Sequence, residues 1–495
     1  MSLRFYNTLG REVEEFQSLE PGTVRMYTCG PTVYDRAHIG NFRSFVWEDL
    51  LRRYLQWKGW KVEQVMNITD VDDRTIRAAV EKGVSLAEVT GPVEAAFFED
   101  WNALGLEPVE HTPRATEHIA AMIELVLRLE AAGVAYAREG SIYFAVDRFS
   151  GYGRLIDLDP GSLRPGGRVE GDEEYSKDDP RDFVLWKGGE RESESDVAVW
   201  DSPWGPGRPG WHLECSAMAM EYLGESFDIH TGGVDNIFPH HVNEMAQSEA
   251  ATGRPLARFW LHAAHLLVDG RKMSKSLGNF HTVASLREAG YRPSAIRFLL
   301  LSGHHRQQLN FTLEGLDRAT KSVDRLYSFS RRLETAGAGF VGEGDTPSSA
   351  GAGSDEADAE ELATRWRIAF ERALDDDLNV ADGLAATFDM VREGNSMLDS
   401  TDDPGSASAI AGALLPSIVA FDRVFGVLAL RRGEEQPAGA GLAGWVESQL
   451  AARNRARERR DFAEADRIRD EIIARGVLIE DTPQGPRWRL LEPSE

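Results

Sequence analysis

The stretch that most limits the fold runs from Thr23 to Ile68. Thr23 to Cys29 reads as a buried strand ending at Gly30-Pro31. Phe42, Val46, Leu50 and Tyr54 then recur every fourth position, with Phe45, Leu51 and Leu55 beside them, which is the stripe of an amphipathic helix. Lys61 to Ile68 alternates as a second strand. Strand, helix, strand at this spacing predicts a right-handed βαβ unit in a parallel sheet, with ligands at the carboxyl ends of the strands. Cys29, His38 and Thr69 should therefore share one rim.

Polar signals cluster at such rims. His38-Ile39-Gly40-Asn41 stands where the first strand gives way to the helix, and Lys272-Met273-Ser274-Lys275-Ser276 follows 234 positions later. Two lysines three apart on a short loop can grip a polyphosphate from both sides. Phe227 to His230 reads as another strand, leading to the turn Thr231-Gly232-Gly233-Val234-Asp235. His240 and Glu244 lie one helical turn apart, so both side chains can converge on one ion. The two cysteines, Cys29 and Cys215, exclude a disulfide framework and pose a metal question. Two thiolates with an imidazole and a carboxylate form a mixed set that suits Zn²⁺. His241, three residues before Glu244, competes for the imidazole place, and spacing leaves both open.

At 495 residues the chain should form two to four domains, and 42% hydrophobic content predicts a soluble globular protein. Met1-Ser2-Leu3-Arg4 opens no signal peptide and no run of about 18 apolar residues occurs, so a cytoplasmic location is expected, with no membrane and no obligate protein partner. A net charge of −26 argues against indiscriminate binding to a polyanion, so any RNA contact must be local. Residues 451–495 are the neutral region, with ten basic and ten acidic side chains and arginines crowded at 453, 455, 457, 459 and 460. There Asp461 and Glu464 open a helix that Gly476 closes, and Val477–Glu480 should pair with Arg487–Leu491 as a hairpin. Asp70, Asp72 and Asp73 are read as caps of a helix beginning at Arg74 rather than as a metal cluster.

The strings Met26-Tyr27-Thr28-Cys29-Gly30-Pro31-Thr32-Val33-Tyr34-Asp35, Asn67-Ile68-Thr69-Asp70-Val71-Asp72-Asp73, Gly210-Trp211-His212-Leu213-Glu214-Cys215-Ser216 and Phe238-Pro239-His240-His241-Val242-Asn243-Glu244 add to the two signature loops. Together they resemble the cysteinyl-tRNA synthetases, a family of class I aminoacyl-tRNA synthetases, over nearly the whole chain. The resemblance implies an α/β fold: a Rossmann-like parallel-sheet catalytic domain with a connective insertion, then a helical bundle and a small α+β C-terminal domain. The expected division is 1–112 and 200–310 for the two catalytic halves, 113–199 for the insertion, 311–432 for a tRNA-binding bundle with a flexible loop at 335–358, and 441–495 for anticodon binding.

The same resemblance implies ATP-dependent activation of L-cysteine to its adenylate, with Mg²⁺ accompanying ATP, and transfer to tRNA(Cys). His38, Lys272 and Lys275 would act in catalysis. Thr32, His38, Asn41, Asp235 and Lys275 would bind ATP; Gly30, Thr69, Trp211 and His230 would line the cysteine pocket. One Zn²⁺ would sit on Cys29, Cys215, His240 and Glu244. Arg457, Phe462, Asp466, Asp481 and Trp488 would contact tRNA. The sequence departs from the family at Asn41, where a second histidine often stands, and at Phe462, which replaces a larger aromatic found in some relatives. A hydrophobic slot separates near-isosteres such as cysteine and serine by only about 10–200-fold, which a metal that bonds to sulfur would exceed. The competing expectation is a cysteine ligase acting on a small amino-sugar acceptor, which would lack an anticodon domain.

Overall fold

The computed structural model describes residues 2–156, 179, 181–188, 197–274, 278–338 and 352–435, and, further on, 449–450, 453, 467–469, 472, 477–482 and 485–490. A hairpin, β1 (Arg4–Asn7) and β2 (Glu12–Glu15), precedes β3 (Thr23–Thr28), α1 (Ile39–Trp57) and β4 (Lys61–Met66). Helices α2 (Asp73–Lys82), α3 (Leu86–Ala103) and α4 (Ile119–Ala131) follow, then β5 (Ala135–Arg138), β6 (Ser141–Phe144), β7 (Phe183–Gly188) and β8 (Gly207–Pro209). Next come α5 (Trp211–Leu223), β9 (Phe227–Gly233), α6 (Val242–Thr252), β10 (Ala257–Ala263), β11 (Leu266–Val268) and β12 (Arg271–Lys272). Helices α7 (Val283–Glu288) and α8 (Pro293–Leu301), strand β13 (Leu309–Phe311) and helices α9 (Leu313–Ala338), α10 (Ala352–Leu374), α11 (Val380–Asp399), α12 (Pro404–Phe425) and α13 (Leu428–Glu435) precede the hairpin β14 (Val477–Thr482) and β15 (Gly485–Leu490).

The central sheet has the order β10-β9-β3-β4, and every pairing in it is parallel. Strand β3 continues through α1 to β4 on one side, while β9 continues through α6 to β10 on the other. Loops leaving β3 and β9 therefore diverge, and the crevice between them is the ligand position of an open parallel sheet. Phe42, Val46, Leu50 and Tyr54 of α1 are fully buried, as the four-residue spacing predicts. Each such side chain contributes roughly 1.5–3 kcal/mol by leaving water.

Two arginines lock the helices behind this sheet. Arg43 of α1 donates to the carbonyls of Leu300, Gly303 and His304, so a cation caps the carboxyl end of α8. Arg297 of α8 pairs with Asp49 of α1 and donates to Phe425 O at 2.6 Å and Leu104 O at 3.2 Å. Helices α9 to α12 pack on one another and, through α8, α1 and α12, onto the sheet. Averaged over 18 residues, α12 is apolar enough to cross a membrane, which counting an unbroken apolar run does not flag. Its Ile410, Leu414, Ile418, Phe421 and Phe425 are buried in the packed helices.

Three differences from the sequence reading have physical causes. The insertion's antiparallel sheet runs β5-β6-β7-β8, so it draws its last strand from Gly207–Pro209, beyond the expected border at 199. Short Gly-Pro strands carry no hydrophobic alternation to announce them. Helix α10 begins at Ala352, inside the expected loop 335–358, because its Ala- and Glu-rich start favours helix and buries Ala359. Finally, of the three aspartates expected to cap α2 only Asp72 does so, accepting from the N–H groups of Arg74 and Thr75 at 3.0 and 2.8 Å, while Asp70 accepts from Thr116 and Asp73 pairs with Arg208.

By its internal contacts the chain divides into residues 1–430 and 431–495. In the second unit β14 and β15 pair antiparallel, setting Ile479 opposite Trp488 and Asp481 opposite Pro486. The expected capping pair Asp461 and Glu464 lies outside the described residues.

Candidate active site and metal centre

A cavity of about 870 Å³ opens at the crevice between β3 and β9. Its first wall is the loop after β3. Gly30 N donates to Asn67 Oδ1 at 2.9 Å, and Asn67 Nδ2 donates to the Thr69 hydroxyl at 3.1 Å, which fixes Thr69 toward the cavity. A Cβ at Gly30 would overlap the Asn67 carbonyl, so only glycine lets these strand ends approach. Thr32 joins the same wall by a parallel bridge to Thr69.

The second wall is the start of α1. His38 is its N-cap: Nδ1 accepts from Asn41 N at 3.1 Å, while Asn41 Oδ1 accepts from His38 N at 3.0 Å. The residue that replaces the family's second histidine thus completes a capping box. Burial lowers the His38 pKa, so the ring is neutral near pH 7. With Nδ1 accepting, its proton is on Nε2. A side chain at Gly40 would come within 2.9 Å of the His38 ring and 3.7 Å of the Met273 methyl.

That second distance joins the two signature loops. Ile39 N donates to His281 O at 3.0 Å, and His38 meets Phe280 edge-on at 5.4 Å. Lys272 lines the cavity from β12, and Asn279 holds the loop by accepting from Ser274 N at 2.9 Å and donating to Lys272 O at 3.3 Å. Lys275 lies outside the described residues. Asp235 and Asn41 complete this end of the cavity.

At the other end Cys29, Cys215 and His240 line the cavity wall, with Trp211 stacked on His240 at 4.4 Å. The donor atoms of Cys29, Cys215, His240 and Glu244 all lie within 4.8 Å of one another. They come from the end of β3, from α5, from the turn Ile237–His241 and from α6. His240 Nε2 is 3.1 Å from Glu244 Oε1 and its Nδ1 is 2.8 Å from His212 Nδ1. His241 reaches the Cys29 thiol from behind the cavity wall. Its Nε2 is 3.3 Å from Cys29 Sγ, and its Nδ1 is held by His262 Nε2 at 2.8 Å, which Thr8 anchors at 2.7 Å. A second set, Cys29, His230, His241 and Glu244, also converges within 4.8 Å. Neither His230 nor His241 reaches the cavity wall, so only the first set presents its thiols and imidazole to a ligand.

Burial pushes the Cys29 thiol well up, and Cys215 raises it further. The hydrogen bond with Cys29 pulls the Cys215 thiol down, but burial and the Glu244 charge together leave it raised. Burial lowers His212, His240 and His262 to about 3. Neutral imidazoles beside two thiols and a carboxylate are the donor set a borderline-soft dication takes, deprotonating the thiols as it binds. The side chains present therefore fit a zinc ion.

Without a metal those histidines make the fold acid-sensitive. Their folded pKa values lie below the unfolded value of about 6.5, so the unfolded chain binds more protons between pH 6.5 and 3 and stability falls as pH falls. In chelator-treated protein the urea midpoint should drop clearly from pH 7 to pH 5, a loss of unfolding free energy of about 2 kcal/mol per histidine. An unchanged midpoint would mean that these rings are already charged in the fold.

Of the residues expected at the site, Gly30, Thr32, His38, Asn41, Thr69, Trp211, Asp235 and Lys272 line the cavity. His230 does not. It is fully buried, stacked on Trp260 at 4.5 Å, with Nε2 on Glu244 Oε2 at 3.0 Å, so it holds the Glu244 carboxylate from behind rather than lining the pocket. Arg457, Phe462 and Asp466 lie outside the described residues. The sequence reading missed Glu48, which lines the cavity, and the supports His212 and His262. His212 stood inside a quoted motif; the other two carry no local signal.

Residues 15–321 match the family model for the class I (C) tRNA synthetase catalytic domain, 369–429 match a DALR domain, and 440–489 match the cysteinyl-tRNA ligase anticodon binding domain. The chain is 47% identical over 491 residues to a cysteine-tRNA ligase of Solibacter usitatus, covering 99% of this chain and 100% of the relative. It is 46% identical over 490 residues to one of Chlamydia pneumoniae, covering 99% and 98%. A structure of Mycobacterium tuberculosis methionyl-tRNA synthetase in complex with methionyl-adenylate shares the fold at a TM-score of 0.61 and 16% identity, over 82% of this chain and 92% of that one. A catalytic-domain match over more than half its length, full-length relatives and a shared fold place the chain in the cysteine-tRNA ligase family of class I aminoacyl-tRNA synthetases.

Proposed function

We propose that the protein activates L-cysteine with ATP and transfers it to tRNA(Cys). The observation that carries this reading is one cavity with two thiols, an imidazole and a carboxylate at one end and the His38 and Lys272 loops at the other.

Cys29, Cys215, His240 and Glu244 would hold Zn²⁺, which would take up the substrate thiol as thiolate and so separate sulfur from the hydroxyl of serine. Thr69, fixed by Asn67, and the face of Trp211 would hold the rest of the amino acid. At the far end, the positive end of the α1 dipole favours phosphate. His38 Nε2–H donates to phosphate oxygens as charge grows on them, and Lys272 offsets the charge of the leaving pyrophosphate. Lys275 would join Lys272 in this, and Asp235 would take the ribose hydroxyls. The catalytic halves, connective insertion, helical tRNA-binding region and C-terminal domain keep the sequence-derived division, with the insertion extended to Pro209. Arg457, Phe462, Asp466, Asp481 and Trp488 would meet the anticodon. The match at 440–489 favours tRNA over a small amino-sugar acceptor.

The assay is cysteine-dependent exchange of pyrophosphate into ATP, followed by charging of tRNA(Cys). Exchange without charging would point to the small-acceptor ligase, and the absence of exchange would end the reading.

A further inference from the structure

The cavity contains an acid that none of these roles uses. Glu48, on the third turn of α1, is 1% exposed, and neither of its carboxylate oxygens has a hydrogen-bond partner. It lines the cavity alongside Ser44, Gly232 and Ala263. Thr231 lies near enough for its hydroxyl to favour the charged carboxylate. That hydroxyl is nevertheless engaged with Thr28 Oγ1 at 3.0 Å and Tyr27 O at 3.4 Å, so no protein donor answers the acid.

An unpartnered buried carboxyl costs several kcal/mol unless something else compensates for it. A packing role does not explain it, since an apolar side chain of similar volume would fill the space without that cost. Nor is Glu48 a further donor to the metal set, because it joins none of the groups whose ligand atoms converge within 4.8 Å. Burial holds its carboxyl at about 8, the state of an acid awaiting a positive partner.

The chemistry of that partner follows from the substrates. ATP brings phosphates and neutral donors, while an amino acid brings a primary ammonium, a cation with three N–H donors. The other carboxylates lining the described cavity are Asp35, whose Oδ1 accepts from Arg36 N at 2.9 Å, and Asp235, which is exposed at the turn after β9. Glu48 is the buried one, and it shares the cavity lining with Gly232, next to Thr231, whose carbonyl accepts from Cys29 N at 3.3 Å, so it belongs to the sulfur end of the cavity. Resting on the reading of cysteine as substrate, we infer that Glu48 receives the α-ammonium of the amino acid and selects for it.

The test is Glu48→Gln, which keeps volume and removes charge. Loss of one charge-assisted hydrogen bond should raise the KM for cysteine in pyrophosphate exchange about 10- to 100-fold and leave the KM for ATP within about twofold. 3-Mercaptopropionate has the thiol and carboxylate but no ammonium, and its inhibition constant should stay within about twofold. Glu48→Asp, which keeps the charge one methylene short, should fall between. The Gln variant should melt no lower than the parent, since the acid has no hydrogen-bond partner to lose in the unliganded protein. An unchanged cysteine KM, a rise confined to ATP, or equal weakening of cysteine and 3-mercaptopropionate would each overturn the inference. Exchange by the parent protein keeps the functional reading intact in any of those cases.

Discussion

Cys29→Ser should lower cysteine-dependent pyrophosphate exchange by on the order of 10³-fold and empty the metal centre. Removing outer hydrogen-bond partners of a metal ligand typically costs about 10–100-fold, and removing the donor itself should cost more. Serine is nearly isosteric, and Cys29 N would still donate to Thr231 O at 3.3 Å, so the end of β3 should keep its place. What changes is the donor: a hydroxyl ionises far less readily than a thiol and is a poorer match for a borderline-soft ion. His38, Asp235 and Lys272 line the other end of the cavity, so ATP affinity should move by no more than a few-fold. Elemental analysis of the purified variant with equilibrium binding of ATP separates the two ends. A Cys29→Ser protein that retains one zinc per chain and normal exchange would remove this thiol from the metal set.

The largest effect on stability is expected at Arg297. Arg297→Met should destabilise the first unit by about 3–5 kcal/mol, because it leaves a carboxylate buried without its cation. Arg297 and Asp49 are both essentially solvent-free, and the guanidinium also holds the carbonyls of Phe425 and Leu104. Burial pushes Asp49 up, yet Arg297 and Arg53 outweigh it and leave the carboxyl below its usual range. A carboxyl with a depressed folded pKa adds stability above its unfolded value of about 3.9 that is lost as pH falls through the folded one. The loss in Arg297→Met should therefore be largest at neutral pH and shrink toward pH 3. Urea unfolding across that range measures it, and the double variant with Asp49→Leu should recover part of the loss. A destabilisation below about 1 kcal/mol at pH 7 would mean that Arg53 alone suffices for Asp49.

Much of the catalytic frame is local and was therefore legible in the chain. The period of four in α1, the two flanking strands and the turn Gly232–Asp235 announce themselves in runs of a few residues, because backbone periodicity fixes which face is buried. Gly40 carries the same kind of information, since the space it leaves is filled by the ring of His38 two residues before it. Asp72 as a cap and the hairpin of β14 and β15 followed the same local rules.

Sequence alone thus determined the βαβ core, the family motifs and the inventory of donors. Only the tertiary structure decided which donors face which way. His240 and His241 are adjacent, yet a kink in the turn Ile237–His241 sends one to the cavity wall and the other toward His262. His230, expected in the pocket, is held behind Glu244, and Glu48 emerges as a buried acid facing that pocket. Helical and strand periods encode burial, but the partner on the far side of a buried face is set by the sheet order β10-β9-β3-β4, which no local run of residues contains.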